Sequence, residues 1–425
     1  MKSRKPAAFY VPVDLSLSFL PKPLHGAAQY FLNLIHWKTC WWRADPDGFV
    51  YLKQKYLTRV IPARSWLTVK HRLVDAGVVV SDLKVAWGAK AEGYRITDPY
   101  RQTHRIECAD PTINKKIWKL ADDNDRYLLP VHRWLRDKLS LLKFDMAKAT
   151  VFLATAKPRK RGFSVKDYRR QRKNYCQLIA DGEHVLSCDE YGRVHTLITA
   201  LEKELRSCLT VGGKPLVGLD LANSQPLLLG LLAKQFLASR MCRARTLDRE
   251  FARDKHPYRH KVGGAQAATL PDDLVRYMQA CVAGTFYESL MTDADRAKGK
   301  AKFKERFYRV LFGRNRSKNG FPNVLRMRFA LKYPTVAKVL HQLKSRNYKQ
   351  SAYVLQNYEA TLFIYRICGR IMEERPRIPL YTIHDCLLTT DEHYDYIRGV
   401  MLDEFAKLGV TPQIRKETYD GHQAI

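Results

Sequence analysis

The chain has 425 residues and carries 74 Lys and Arg against 42 Asp and Glu, a formal charge of +32. That length accommodates two or three domains with their own cores, and 46% apolar with 11% aromatic content excludes a disordered basic tail. No run of about 18 uncharged apolar residues occurs, which excludes a membrane-spanning helix. The N-terminal segment is basic, but Pro and Asp interrupt its apolar stretch, so it makes a poor signal peptide. Nine cysteines are scattered without a CxxC pair, which points to a reducing, cytoplasmic compartment and away from a zinc site. A cation excess of this size suits a polyanionic partner, of which nucleic acid is the commonest; a solvated basic surface is the alternative.

In chain order, an apolar, aromatic helix is expected from about Ala27 to Trp42, before the turn Ala44-Asp45-Pro46-Asp47-Gly48. A second short helix is expected over Val50 to Leu57. Pro62 fits the first turn of a third helix and Gly77 the residue just past its end. On that helix Trp66, Val69, Leu73 and Val74 share one face, leaving Arg64, Lys70, His71 and Arg72 for the other. The run Val78-Val79-Val80 and the segment from Gly88 through Gly93 to Tyr94-Arg95-Ile96 read as a basic hairpin. Three helices and a two-stranded wing resemble a winged helix-turn-helix over residues 1–100, a family that places its third helix in the major groove. Residues 101–189 look helical and basic, a thumb-like or linking region. Lys157 to Lys173 carries nine basic residues and one acid, with Phe163 and Tyr168 interleaved, which suits a phosphate-backbone track or a solvated face.

The segment with the chemistry runs over residues 190–425. VGLDLANSQPLLLGLLA is a strand pattern that delivers Asp220 at its end, followed by a turn and an apolar helix. IPLYTIHDCLLTT sets Asp385 inside a second apolar strand pattern. A buried acid is costly unless paired or metal-bound, and two adjacent strand-borne aspartates could hold two divalent cations about 3.5–4 Å apart. RAKGKAKFKERFYRVLFG reads as a helix with Phe303, Phe307, Val310 and Leu311 buried. Lys300, Lys304, Tyr308 and Phe312 recur every four residues and form one stripe on another face, ending at Gly313. Two ammonium groups followed by two rings suit a triphosphate and a stacked base.

Taken in order, these blocks resemble the superfamily of family A DNA polymerases and single-subunit, phage-type RNA polymerases. Asp220 stands at that family's first palm aspartate. Lys300, Lys304, Tyr308, Phe312 and Gly313 follow its fingers-helix pattern, R-x3-K-x3-F/Y-x3-Y-G, with Lys for Arg and Phe for Tyr. His384 and Asp385 match its HD motif. Gly192-Arg193-Val194-His195-Thr196 is similar to the segment whose arginine reaches the primer terminus and the nucleotide. Gln356, 28 residues before His384, matches a template-side glutamine, and GVTPQIRKETYDGH is similar to the closing palm strand. The resemblance spans Tyr191 to His422.

It implies an α+β right hand of palm, fingers and helical thumb behind the winged-helix-like domain. It also implies two Mg²⁺ ions, with Mn²⁺ as a substitute, held by Asp220, Asp385 and the Leu221 carbonyl. Lys304 would act at the triphosphate. The partners implied are DNA, primed or single-stranded, and nucleoside triphosphates, with no membrane, in a bacterial, plasmid or phage setting. Three positions depart from the family. Cys386 replaces the third acid of HDE, Gln225 replaces the glutamate that excludes ribose, and Lys300 cannot clamp bidentately as arginine does. By the same resemblance, Tyr308 and the 27-residue spacing from Arg193 to Asp220 favour a DNA polymerase, and the lack of an acid-rich exonuclease pattern upstream favours a compact, exonuclease-free one. An RNA-synthesising or template-independent nucleotidyltransferase is the alternative, and a catalytically silent DNA-binding replication or regulatory protein a third reading.

Overall fold

The computed structural model describes residues 4–41, 44–45, 47–82, 91–158, 164–241, 270–315 and 323–419. The chain divides into two compact units, residues 1–128 with 144–183, and residues 129–143 with 184–425. Among the described residues no helix is long and apolar enough to cross a membrane.

The first unit is built on the helices His25–Cys40 and Ala63–Asp75 and two small sheets. Phe31 of the first helix meets Trp66 of the second and Tyr94 of the sheet edge-to-face, with ring centroids 4.7 and 5.0 Å away. Such aromatic contacts add directional attraction to the area they bury. Trp66, Val69 and Leu73 are buried as their spacing requires, Val74 is half-buried, and Arg64, His71 and Arg72 are exposed. Lys70 is not a free cation of that face: it pairs with Glu92 at 2.6 Å, both side chains being largely covered.

Residues 50–57 are not one helix. Val50–Leu52 is a strand, and only Gln54–Leu57 forms a helical turn. Val50 lies opposite Tyr94 in a three-stranded sheet completed by Val79–Ser81, and this pairing outweighs local helix preference. Ala8–Pro12 and Thr103–Glu107 form a second antiparallel pair, so the stretch after residue 100 is not purely helical. Tyr168, placed by its spacing on a nucleic-acid track, is instead buried in the helix Val165–Ala180, as is Arg172, whose guanidinium lies 4.9 Å from the Tyr175 ring centre. Pro46, Gly88 and Phe163 lie outside the described residues.

The second unit centres on the strand Lys214–Leu221. Cys386–Thr390 and Ile414–Thr418 both pair with it antiparallel, and Tyr381–Ile383 adds beyond the former. Leu209–Val211 precedes it through a two-residue turn in which Gly212 and Gly213 take φ of +57° and +78°. Two positive φ angles are what a tight hairpin matching strand twist requires, so glycine is favoured at both. Leu216, Val217, Gly218 and Leu219 are all buried, which identifies a strand covered on both faces. The helix Ser224–Met241 follows, with Pro226 in its first turn. From Leu227 to Ala233 it is apolar on every side because it runs through the core, where Leu227 to Leu229 and Leu231 to Ala233 pack with Phe286, Phe307, Phe363 and Met401.

Candidate active site

The central strand ends with Asp220 lying opposite Cys386 on one neighbouring strand and Arg415 on the other. Asp385 is not in a strand. It occupies, with His384, the two-residue turn joining Tyr381–Ile383 to Cys386–Thr390. His384 supplies the left-handed backbone that the turn needs, φ +56°. The Leu221 amide points at the Asp385 carbonyl, 3.4 Å away, so Asp220, Leu221 and Asp385 share one corner of the sheet.

Burial, then the neighbouring Asp385 and Glu417, push the Asp220 carboxyl up to about 6. Burial raises Asp385 as well. The Lys304 ammonium opposes both shifts, so it faces both acids. Cys386 is buried and its thiol is driven up, leaving it neutral beside Asp220 and no substitute for a carboxylate.

Lys304 lies on the helix Lys300–Phe312, whose buried side is Phe303, Phe307, Val310 and Leu311 as its spacing predicts. Lys304 is exposed and 5.8 Å from the Tyr308 ring centre. Tyr308 and Phe312 are half-buried neighbours, centroids 5.8 Å apart. Lys300, expected to face the same substrate, is held by Glu288 in an ion pair. Gly313 ends the helix with no room for a Cβ, which would run into the Arg309 carbonyl. Lys344 buttresses that end: its buried ammonium donates to the Val310 and Leu311 carbonyls at 2.6 and 3.3 Å.

Arg193, just before the strand Val194–Thr196, donates to Glu359 at 2.9 Å. Glu359 is only 2% exposed and also receives the amide N–H of Gln225. Burial, with Asp385 adding to it, pushes Glu359 up to about 7 despite Arg193. Its helix, Gln350–Ala360, continues directly into a π-helical stretch, Thr361–Cys368, a distortion frequent at functional sites. Gln356 lies one turn earlier on that helix, half-buried and on the same face as Glu359. The exposed His384 ring sits 6.3 Å from His195, which Asp189 holds at 2.8 Å.

Asp220, Leu221, Asp385, Lys304, Arg193 and Gln225 are therefore one constellation, with Lys300 turned to Glu288. Two acids of the site escape sequence reasoning. Glu359 sits in a helix of ordinary amphipathic pattern, and only its burial marks it. Glu417, whose partner across the central strand is Gly218, faces Asp220 because alternate residues share a sheet face; Lys203 holds it at 2.7 Å. A run of Arg415, Lys416 and Glu417 in an exposed strand carried no signal for it.

Among the described residues no group of three or more His, Cys, Asp and Glu side chains is gathered closely enough to hold a metal. Asp220 and Asp385 offer carboxylate oxygen donors at one sheet corner, and hard cations such as Mg²⁺ are commonly bound by one or two carboxylates and completed by substrate phosphates and water. The donor set therefore fits Mg²⁺ arriving with a triphosphate.

No protein-family model matches the chain, and no curated protein matches it in sequence. Among solved structures, it is similar to the POL domain of Pol1 from M. smegmatis, determined in complex with DNA primer-template and dNTP. The identity is 11%, the TM-score 0.35, and 73% of each chain is covered.

Proposed function

We propose that the second unit is a nucleotidyltransferase that extends the 3'-hydroxyl of a nucleic acid with nucleoside monophosphates, as a compact DNA polymerase does. The observation that carries this reading is the pairing of Asp220 and Asp385 at one sheet corner, faced by Lys304. Half-buried like charges with raised affinity for protons are an arrangement for binding cations.

In the reaction a bond forms between the 3'-oxygen and the α-phosphorus, the bond to the β-phosphate bridge breaks, the hydroxyl proton is lost, and pyrophosphate leaves. Asp220, Asp385 and the Leu221 carbonyl would hold Mg²⁺, whose chemistry is to lower the pKa of the 3'-hydroxyl and neutralise the leaving oxygens. The Lys304 ammonium would meet the triphosphate and offset its growing charge. Tyr308 and Phe312 present rings for stacking on the base. Arg193 would reach the primer terminus and nucleotide, while Gln356 and His384 would contact template and primer. The exposed Arg64, His71 and Arg72 support a nucleic-acid-binding role for the first unit, in the manner of a winged helix.

The test is incorporation by purified protein with Mg²⁺ or Mn²⁺, primed and unprimed templates, and dNTPs and NTPs in separate reactions. Wild type is expected to extend a primer. Asp220→Asn and Asp385→Asn should each lower the rate at least about 1,000-fold while leaving DNA binding within a few-fold. Turnover surviving either substitution would refute the two-carboxylate assignment, and a wild type inert under all conditions would favour a silent DNA-binding scaffold.

A further inference from the structure

Of the two lysines in the stripe, Lys304 is exposed and faces Asp220 and Asp385, whereas Lys300 is ion-paired with Glu288. Lys300 opens its helix. Gly299 before it supplies no side-chain cap, and the first turn holds Lys300 and Lys302 with no acid. Free N–H groups give a helix N-terminus partial positive charge, so anions are favoured there and cations are not. This end therefore draws in an anion, and the one it has is a carboxylate from a different helix.

That helix, Phe286–Leu290, is fixed to the core through the buried Phe286, Tyr287 and Leu290, and the Ser289 hydroxyl lies 2.9 Å from that of Tyr333. Glu288 is thus held at its root, and the lysine is the longer, more flexible partner. The pair is not sealed from water, since the side chains of Lys300 and Glu288 are 40% and 43% exposed. Ion pairs this open are weak, so a more highly charged anion can take the lysine. Lys300 stands one helical turn, about 6 Å along the axis, from Lys304. With Lys304 beside the acids, where the α-phosphate would react, Lys300 is placed for a phosphate further along the chain.

We propose that Glu288 competes with the terminal phosphate of a nucleoside triphosphate for Lys300, which makes Glu288 a specificity-determining residue for phosphate-chain length. The proposal rests on the nucleotidyl-transfer reading above and adds a resident carboxylate that a ligand must displace. Shorter phosphate chains do not reach Lys300 and leave its pair with Glu288 intact. A triphosphate reaches it, Lys300 passes from carboxylate to phosphate, and Glu288 is left hydrated at the surface. No covalent bond changes in this exchange.

The experiment measures equilibrium binding of a nucleoside tri-, di- and monophosphate with Ca²⁺ in place of Mg²⁺. The proteins are wild type, Glu288→Gln, Lys300→Met and the double variant, with single-nucleotide incorporation in Mg²⁺ followed in parallel. Glu288→Gln should tighten the triphosphate about 2- to 5-fold, the range an exposed ion pair supplies, and leave the di- and monophosphate unchanged. In the Lys300→Met background the same substitution should no longer tighten binding. Glu288→Ala gives the same comparison if Glu288→Gln does not fold. Unmoved triphosphate affinity, equal tightening of all three ligands, or full tightening without Lys300 overturns the proposal. The expected binding pattern without incorporation by wild type defeats the transfer reading alone. Incorporation with binding indifferent to Glu288 defeats this proposal alone, and absence of both binding and incorporation defeats both.

Discussion

Asp220 and Cys386 lie directly opposite each other in the central sheet. This register gives the cysteine at position 386 a physical meaning. The residue beside Asp220 is a buried neutral thiol, and the second acid comes from the turn, one residue earlier. An acid at 386 would set a third buried charge against Asp220 and Asp385. With Cys there, Glu417 on the other neighbouring strand is the further negative group that Asp220 feels, and Lys203 partly compensates it.

The acid pair should make the metal-free protein less stable as pH rises. Asp220 titrates near 6 in the folded state, above its unfolded value of about 4. The folded protein therefore binds more protons between those values, and stability falls as pH climbs from about 4 to 6. The loss is about 3 kcal/mol once Asp220 is ionised. Asp220→Asn should flatten this limb of a Tm-against-pH curve, and Mg²⁺ should raise Tm at pH 7.5 in wild type but not in the variant. An identical slope in both proteins would contradict the assignment.

Lys344 should act at the other end of the pH scale. Burial pulls its ammonium down to about 7, while the unfolded lysine titrates near 10.4. Between those values the unfolded chain binds more protons, so stability should rise with pH from about 7 to 10. Lys344→Met should remove that rise and leave the Val310 carbonyl unmatched at the end of the Lys300–Phe312 helix. Denaturant midpoints at pH 7 and pH 9.5 measure both effects.

Gly218 is a packing constraint on the same sheet. A Cβ there would lie 2.6 Å from the Tyr419 hydroxyl and 3.2 Å from both Cys386 Sγ and Glu417 Cβ. Gly218→Ala should cost about 1–3 kcal/mol through overpacking. Tyr419→Phe removes the nearest of these atoms, so the double variant should recover part of that loss in urea unfolding. Additive losses would mean that the hydroxyl is not the obstacle.

In the first unit, Arg64 and Arg72 are exposed on one helix, whereas Lys70 is paired with Glu92. Replacing both arginines by alanine should weaken duplex binding and reduce the slope of log affinity against log salt by about 2. Lys70→Ala should instead lower thermal stability and change the salt slope little, because its charge is already spent on Glu92. Titrations between 50 and 200 mM salt, about the range over which phosphate contacts are lost, would separate the two roles.

Local pattern alone determined the helix over residues 300–312, its buried face and its lysine–aromatic stripe, because a 3.6-residue period writes itself into consecutive positions. It also determined that Asp220 ends a buried strand and that Asp385 belongs near it, since apolar runs broken by one acid have few other uses. Tertiary structure decided what those residues meet. Lys300 is taken by Glu288, Lys70 by Glu92, and Tyr168 by the core, and no local pattern distinguishes them from the exposed Lys304 or Arg64. Val50–Leu52 became a strand because Glu92–Ile96, some 40 residues onward, offered an edge to pair with. Glu359 and Glu417 joined the site for the same reason: a buried carboxylate is recognisable only by its surroundings, and these were assembled from segments between 130 and 200 residues apart. Long-range pairing is set by register and packing across the fold, which consecutive residues do not encode.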